Sequence, residues 1–209
     1  IDGYILSHGY EPVEIPSQEL VDKFLPPYNP PYKLDVNNPL TLGPLCDPNY
    51  YLETRYAIQE TMKNEVRKKI VEVSSEFTKL FGRQSYGMYE GYKLDGAKTI
   101  FVSMGSICST IKDVVDSLCE KGEKVGLLRI ISYRPFPEEV GEFLCNAERV
   151  VVVDKSISLG ANGPLYEDVV NSVYIAVKRN GVKNLPLIQG FICGLGGRDV
   201  GSDVITKIY

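Results

Sequence analysis

Two kinds of segment alternate along the second half of the chain. Short apolar runs, of which the four valines at 150–153 are the clearest, have the pattern of strands buried on both faces. After each run comes a turn, and then a segment whose apolar residues recur every three or four positions, as in amphipathic helices. This alternation predicts an α/β fold with an open, mainly parallel sheet flanked by helices.

The predicted boundaries follow from where each pattern begins and ends. Strands are expected at 99–104, 124–132, 150–153 and 187–193, and helices at 107–121, 138–146, 165–180 and from about 202. The hydroxyl of Ser106 is expected to cap the first of these helices, and Ser202 or Asp203 the last. Pro164 suits the first turn of the third helix.

The first half of the chain has a different pattern. Seven prolines between positions 12 and 39 cannot support regular ladders, so extended, polyproline-like chain is expected there, with one short helix from Ser17 to about Phe24. From about Asn49 to Gly82 apolar residues recur at helical spacing without glycine or proline, which predicts one long amphipathic helix. Residues 82–97, rich in glycine and tyrosine, are interpreted as a linker.

Composition and charge narrow the class of protein. The 209 residues are 44% hydrophobic with a net charge of −4, typical of a globular protein, and no basic stripe predicts nucleic-acid binding. No apolar run is long enough for a transmembrane helix, and the start lacks a signal-peptide layout. The five cysteines include no C-x-x-C pair and are interpreted as reduced, mostly buried thiols of a cytoplasmic protein. Because the chain opens at Ile1 with residues typical of a fold interior, we expect a fragment.

Four charged residues follow predicted strand ends. Arg134 and Asp154 come after the second and third strands, and Arg198 and Asp199 follow the last. Because parallel strands end at one edge of a sheet, all four are expected at that edge. Either they position loops and contact a partner, or they form local salt bridges that hold neighbouring loops together.

The loop after 150–153 is the second candidate feature of this edge. Ser156 follows the strand, and Gly160 and Gly163 permit backbone shapes or close approaches that other residues resist. A tight strand-to-helix connection would account for the same residues.

Other candidate sites are weaker. The Gly194–Gly197 turn lacks the G-x-G-x-x-G spacing of a dinucleotide site, and helix capping accounts for the Ser103–Ser106 turn as well as anion binding does. His8, the only histidine, is interpreted as a structural residue. No catalytic triad or metal spacing is found, so no catalytic or metal-binding residue is assigned.

Five ordered blocks nevertheless resemble one known family. They are FVSMGS at 101–106, GEKVGLLR at 122–129, YRPFP at 133–137, VDKSISLGANGPLY at 153–166 and GLGGRD at 194–199. Together they resemble the second domain of the α subunit of pyruvate:ferredoxin oxidoreductase, also called pyruvate synthase, within the 2-oxoacid:ferredoxin oxidoreductases. DGYILSH at 2–8 and EPVE at 11–14 resemble the end of the first domain of that subunit.

The resemblance implies a fold and an activity. It implies a transketolase C-terminal-like α/β domain at 98–209, after the tail of a thiamine-diphosphate-binding-type domain at 1–48 and a long helix with linker at 49–97. The complete hetero-oligomeric enzyme would convert pyruvate and CoA to acetyl-CoA and CO2, or run the reverse synthesis, with electrons passed to ferredoxin.

The resemblance also implies where the cofactors lie. Thiamine diphosphate with Mg and 4Fe-4S clusters would be held mostly by the missing first domain and by β, γ and δ subunits or their fused equivalents. No cofactor is expected on this chain alone, and a cofactor-binding residue cannot be named. The segment would be mainly structural and inactive alone. Two alternatives stay open, a non-catalytic assembly module and the equivalent subunit of an enzyme for 2-oxoglutarate or branched-chain oxoacids.

Overall fold

The computed structural model describes residues 10, 12–41, 43, 45–181 and 185–209. His8 and the block at 2–8 lie outside the described residues, as does Glu11 of the next block. Two compact units divide the described chain at residues 87 and 88. We call residues 12–87 the helical unit and residues 88–209 the sheet unit.

The helical unit consists of one short helix and one long one. The short helix α1 spans Gln18–Phe24, and the long one comprises α2 (Pro48–Thr61), a π-helical segment (Met62–Val66) and α3 (Arg67–Phe81), which follow one another without a break. The predicted long helix is therefore confirmed. Asp47 caps it by accepting a hydrogen bond from the Asn49 amide at 2.9 Å, and Gly82 ends it with a left-handed φ of 65°.

Packing within the helical unit is confined to one end of the long helix. The rings of Phe24, Phe77 and Phe81 meet at centroid distances of 4.6–5.8 Å, so α1 lies against α3. Ser74 is the only described residue of these helices that is buried. Along α2, Tyr50, Leu52 and Tyr56 are all more than 60% exposed. This unit thus buries little apolar surface of its own.

The sheet unit contains five strands in the order β1-β3-β2-β4-β5. They are β1 (Tyr89–Tyr92), β2 (Thr99–Met104), β3 (Val125–Ile130), β4 (Arg149–Asp154) and β5 (Leu187–Ile192). β2 to β5 are parallel, which confirms the predicted open, mainly parallel sheet, and β1 pairs antiparallel with β3 at one edge. The interpretation of 82–97 as a linker is therefore wrong for β1. This strand is short, and the glycines and tyrosines of the segment give no clear strand pattern.

Helices cover both faces of the sheet. On one face α5 (Val140–Leu144) and α6 (Pro164–Asn180) contribute Leu144, Leu165 and Val169 to an apolar cluster. On the other, α4 (Ile107–Glu120) and α7 (Ser202–Ile208) contribute residues such as Ile111 and Ile205. Residues 150–153 are completely buried, because their side chains alternate between these two clusters.

The predicted serine caps are wrong, although the helices themselves are confirmed. Ser106 has helical φ and ψ, so its side chain makes no capping hydrogen bond to α4. Ser17, where the sequence predicts the start of the short helix, lies directly before α1, and its side chain makes no capping hydrogen bond either. The cap of α7 is Gly201, and Ser202 is already the first helical residue. Gly163 and Pro164 begin α6 as the sequence predicts.

Candidate functional site

The candidate site is the edge of the sheet unit at which β3, β4 and β5 end. Besides the two-residue turn after β2, three longer connections start there, 131–139 after β3, 155–163 after β4 and 193–201 after β5. We call the second of these the β4 loop. In open α/β sheets this edge is where ligands and partner surfaces usually lie.

Asp154, the last residue of β4, organises the β4 loop. Its side chain is buried, and its carboxylate accepts hydrogen bonds from the backbone amides of Ser156 at 3.0 Å and Leu165 at 2.7 Å. Burial raises the pKa of the Asp154 carboxyl, and backbone bonds from Leu165, Ser156 and Tyr166 oppose part of that rise. Asp154 thus joins the start of the loop to the first turn of α6.

The two glycines of the β4 loop have different roles. A side chain at Gly163 would place its Cβ 2.6 Å from Oδ2 of Asp154, so the loop and carboxylate fit together only with glycine there. Gly160 has open space around it but a φ of +84°, which L side chains rarely adopt. Backbone bonds between Ser158 and Asn162 and between Ala161 and Ser158 close the loop internally.

The β4 loop exposes two large apolar side chains among its polar residues. Leu159 is 90% exposed and Ile157 is 42% exposed. They are exposed even though the hydrogen bond from the Ser156 amide to Asp154 fixes the start of the loop. Ile192 and Leu195, beside the end of β5, are also exposed. Apolar side chains on an ordered loop are typical of a surface that contacts another protein chain.

Arg134 makes its own contacts in the connection after β3. Its guanidinium lies 4.1 Å from the centre of the Tyr133 ring and donates to the Asp168 carboxylate on α6 at 2.9 Å. Burial, together with a hydrogen bond to Asp168, raises the pKa of the Tyr133 hydroxyl to about 12. This group links the 131–139 connection to α6.

Arg198 and Asp199 lie in the connection after β5 and are exposed. The carboxylate of Asp199 accepts a hydrogen bond from the Val200 amide at 3.0 Å, and the Arg198 amide donates to the Leu195 carbonyl. Neither forms an ion pair with Arg134 or Asp154, whose contacts are described above. The structure therefore brings Asp154, Ser156 and Gly163 together and leaves the other charged candidates in separate groups.

A pocket of about 270 Å³ lies between the β4 loop, α6 and β5. The residues that line it are Asp154, Ala161, Asn162, Gly163, Tyr166, Gly190, Phe191 and Ile192. The carboxylate of Asp154 is already occupied by backbone amides. Because no buried side-chain polar atom of the described chain lacks a partner, the pocket holds no orphaned group that would demand a ligand.

Sequence reasoning missed two charged groups of the sheet unit. Asp168 gave no signal, because its partner Arg134 is 34 residues away. Glu90 lies in the segment interpreted as a linker, yet its carboxylate is buried against Lys112 of α4 and Arg129 of β3. Alternation of apolar and polar residues in a strand as short as β1 is too brief to recognise.

The described residues do not fit a metal or thiamine diphosphate site. No group of three His, Cys, Asp or Glu residues in the described ranges lies close enough together to hold a metal ion. In the helical unit the described helices bury only Ser74, so they hold no buried charged side chain that would fix a diphosphate.

All five cysteines are free thiols, and their environments differ. Cys46 is exposed, whereas Cys108 and Cys145 are buried. Burial raises the pKa of Cys108 to about 11, so this thiol stays protonated near neutral pH and is a poor nucleophile. None of the helices in the described part of the chain combines the length and the apolar character that crossing a membrane requires.

Comparison with known proteins identifies the family. The family described as "Pyruvate:ferredoxin oxidoreductase core domain II" matches residues 97–205, more than half of the chain. The family described as "Pyruvate flavodoxin/ferredoxin oxidoreductase, thiamine diP-bdg" matches residues 1–73. The first match covers the sheet unit from residue 97 to residue 205, which leaves out β1 and the end of α7, and the second covers most of the helical unit.

Curated relatives agree with these matches. The chain is 44% identical over its full length to pyruvate synthase subunit PorA of Methanothermobacter thermautotrophicus, covering 51% of that protein. It is 43% identical over its full length to PorA of Thermotoga maritima, covering 52%. Ketoisovalerate oxidoreductase subunit VorA of Pyrococcus abyssi is 39% identical over 94% of the chain, which covers 48% of VorA.

The chain spans about half the length of these relatives. Its core-domain match covers the strands, helices and loops that form the candidate edge, including the β4 loop and the connection after β5. On this match, and on the identity to PorA proteins, the chain belongs to the pyruvate:ferredoxin oxidoreductase family.

Proposed function

We propose that the chain is part of the α subunit of an enzyme that oxidatively decarboxylates pyruvate. The enzyme forms acetyl-CoA and CO2 from pyruvate and CoA and passes the electrons to ferredoxin, or catalyses the reverse synthesis. The observation that carries this proposal is the 42–44% identity to pyruvate synthase subunits over the entire chain.

Within that enzyme the sheet unit has a structural, subunit-docking role. Its support is the β4 loop, where a buried carboxylate fixes the backbone while Leu159 stays 90% exposed. An ordered loop with an unburied apolar side chain is suited to contact another chain. On this proposal Asp154, Ser156, Gly160 and Gly163 position the loop, and Arg134 positions the neighbouring connection. Arg198 and Asp199 then lie at the rim of the contact.

Cofactors belong to the complete enzyme. Thiamine diphosphate supplies the electron sink that decarboxylation of a 2-oxoacid needs, and 4Fe-4S clusters would carry the electrons onward. The match of residues 1–73 to a family described as thiamine diphosphate-binding supports thiamine diphosphate in the complete enzyme, and we propose that the cofactor, its Mg and the clusters are held mostly by other parts of that enzyme. The β, γ and δ subunits, or fused equivalents, are the proposed partners, with ferredoxin and CoA as reactants of the complete enzyme.

The division of the chain and its location complete the proposal. Residues 1–48 would end the first domain, 49–97 would provide the long helix and its connection, and 98–209 would form the transketolase C-terminal-like domain, to whose sheet β1 (Tyr89–Tyr92) is added by its pairing with β3. Five free cysteines fit a reducing compartment, so the cytoplasm is the proposed location.

The identity to VorA favours keeping one second candidate, a subunit for branched-chain oxoacids. The test is a substrate panel on the complete enzyme that contains this chain, with CoA-dependent ferredoxin reduction as the readout. Pyruvate is expected to give the highest kcat/KM. If kcat/KM were higher for 2-oxoisovalerate or 2-oxoglutarate, that oxoacid and not pyruvate would be the preferred substrate. If no oxoacid gave CoA-dependent reduction of ferredoxin, a non-catalytic assembly module would be favoured.

A further inference from the structure

The long helix of the helical unit contains a π-helical segment, Met62–Val66, between α2 and α3. In such a segment each backbone amide bonds to the fifth preceding carbonyl instead of the fourth, so the turn holds one extra residue. Because an α-helix advances about 100° per residue, the extra residue turns α2 by about that angle relative to α3. The π-helical segment therefore decides which residues of α2 share a face with α3.

The apolar face of α3 is regular. Its members recur at alternating spacings of four and three residues and are all half-buried: Val66, Ile70, Val73, Phe77 and Leu80. α1 covers the carboxyl end of this face, where the rings of Phe24 and Phe77 meet at a centroid distance of 5.8 Å. From Phe77 back to Val66 the same face lines a groove of about 520 Å³. The apolar face thus extends beyond α1 towards α2.

The π-helical segment keeps charge off the continuation of this face. An uninterrupted helix would align three residues of α2 with the face of α3, namely Leu52, Arg55 and Gln59. With the extra residue, the aligned residues are each one position earlier, namely Tyr51, Thr54 and Ile58. Arg55 and Gln59 are then turned away from the face. The face is consequently free of charge in α2 as well as in α3, although all of residues 51–60 are exposed.

We propose that the π-helical segment sets the register of one packing face, which runs from Tyr51 to Leu80, and that this face packs on the remainder of the first domain. The proposal rests on the proposed function, in which this chain is part of a longer subunit. The match to the thiamine diphosphate-binding family covers residues 1–73, which include α2, the π-helical segment and most of the face. The chain spans about half of its curated relatives, so those proteins contain further residues that can cover an exposed apolar face.

Cysteine labelling of the complete enzyme separates the two registers. Thr54→Cys and Ile58→Cys should react with a maleimide at least about tenfold more slowly than Arg55→Cys and Gln59→Cys, because only the first pair lies on the covered face. In urea all four should react alike, and peptide mass spectrometry separates each label from that on the exposed Cys46. Protection of positions 55 and 59 instead, or equal rates at all four, would overturn the proposal.

The register itself is tested by deleting Asn64 from the π-helical segment. The deletion removes the extra residue, so α2 should turn by about 100° and bring Arg55 onto the face. The yield of assembled enzyme should then fall at least about tenfold, because the face would carry a charge where it is covered. Asn64→Ala keeps the length of the helix and should leave the yield unchanged. Normal assembly after the deletion would overturn the proposal.

A photo-crosslinking residue at position 58 identifies what covers the face. In the complete enzyme, benzoylphenylalanine in place of Ile58 should link to a peptide of the same subunit that lies outside residues 1–209. A link to residues 88–209, to a second copy or to another subunit would overturn the assignment to the first domain. If the residue prevents assembly, hydroxyl-radical footprinting of the unmodified enzyme should show Tyr51 protected and Leu52 oxidised, and the reverse would refute the register. None of these measurements requires turnover, so an enzyme inactive with every oxoacid would refute only the proposed function.

Discussion

Single contacts of a few residues decide the shape of the candidate edge. The carboxylate of Asp154 accepts hydrogen bonds from two backbone amides that would otherwise bond to water. Gly163 has no side chain, which leaves room for this carboxylate. Tyr133, Arg134 and Asp168 form a second such group on the neighbouring connection. No buried side-chain polar atom in either group lacks a hydrogen-bond partner, so both groups hold their loops through satisfied contacts.

Gly163→Ala tests the fit between the β4 loop and Asp154. The new Cβ would lie 2.6 Å from Oδ2, so loop or carboxylate must shift, at an expected cost of about 1–3 kcal/mol in the free energy of unfolding. Urea denaturation of the chain measures it. Leu159→Ala, in the same loop but fully exposed, is the control and should change stability by less than about 0.5 kcal/mol. Equal free energies of unfolding for the two variants would contradict the close approach of Gly163 to the Asp154 carboxylate.

The hydroxyl of Tyr133 is expected to ionise at a higher pH than an ordinary tyrosine. Its pKa in the folded chain is raised to about 12 from an ordinary value of 10.0, first by burial and then by Asp168. The folded state therefore holds the proton over a range in which the unfolded state has lost it, so Tyr133 lowers stability as pH rises from 10 towards 12. Ultraviolet difference titration should show one tyrosine ionising above the others, and Asp168→Asn should lower its pKa. An unchanged pKa of Tyr133 in the Asp168→Asn variant would refute the link between Tyr133 and Asp168.

The elements of the sheet unit were predictable where sequence pattern and burial agree. The valine run at 150–153 reads as a buried strand because both of its faces are covered, and α6 begins where proline and glycine allow it. β1 was missed because its burial depends on Lys112 and Arg129, which lie 22 and 39 residues from Glu90. The Arg134–Asp168 pair was missed for the same reason, since pairing across the fold leaves no local pattern.

Glu90→Gln tests how β1 is held. The buried carboxylate of Glu90 contacts Lys112 and lies 3.3 Å from Arg129, so neutralising it leaves two partly covered cations without their counter-charge. We expect a loss of about 2–3 kcal/mol in the free energy of unfolding. Glu148→Gln, which breaks an exposed pair with Lys98, is the matched control and should cost less than about 1 kcal/mol. Similar losses for both would mean that the Glu90 cluster does not anchor β1.

For the molecule as a whole, exposed apolar surface is the feature that the described contacts leave unexplained. It is found on α2 of the helical unit and, separately, on the β4 loop of the sheet unit. Neither unit covers its own exposed residues, which is expected of a chain that spans about half of its relatives and belongs to a family of enzyme subunits. The proposed activity therefore has to be measured in the complete enzyme.

The most direct test of the docking role compares two leucine substitutions in that complete enzyme. Leu159→Asp charges the tip of the β4 loop, whereas Leu185→Asp charges an exposed leucine before β5, at the opposite end of that strand. We predict that Leu159→Asp lowers both the partner subunits that co-purify and the pyruvate-dependent reduction of ferredoxin at least about tenfold, and that Leu185→Asp changes neither. Normal assembly and turnover with Leu159→Asp, and likewise with Asp154→Ala and Arg198→Ala, would contradict the account.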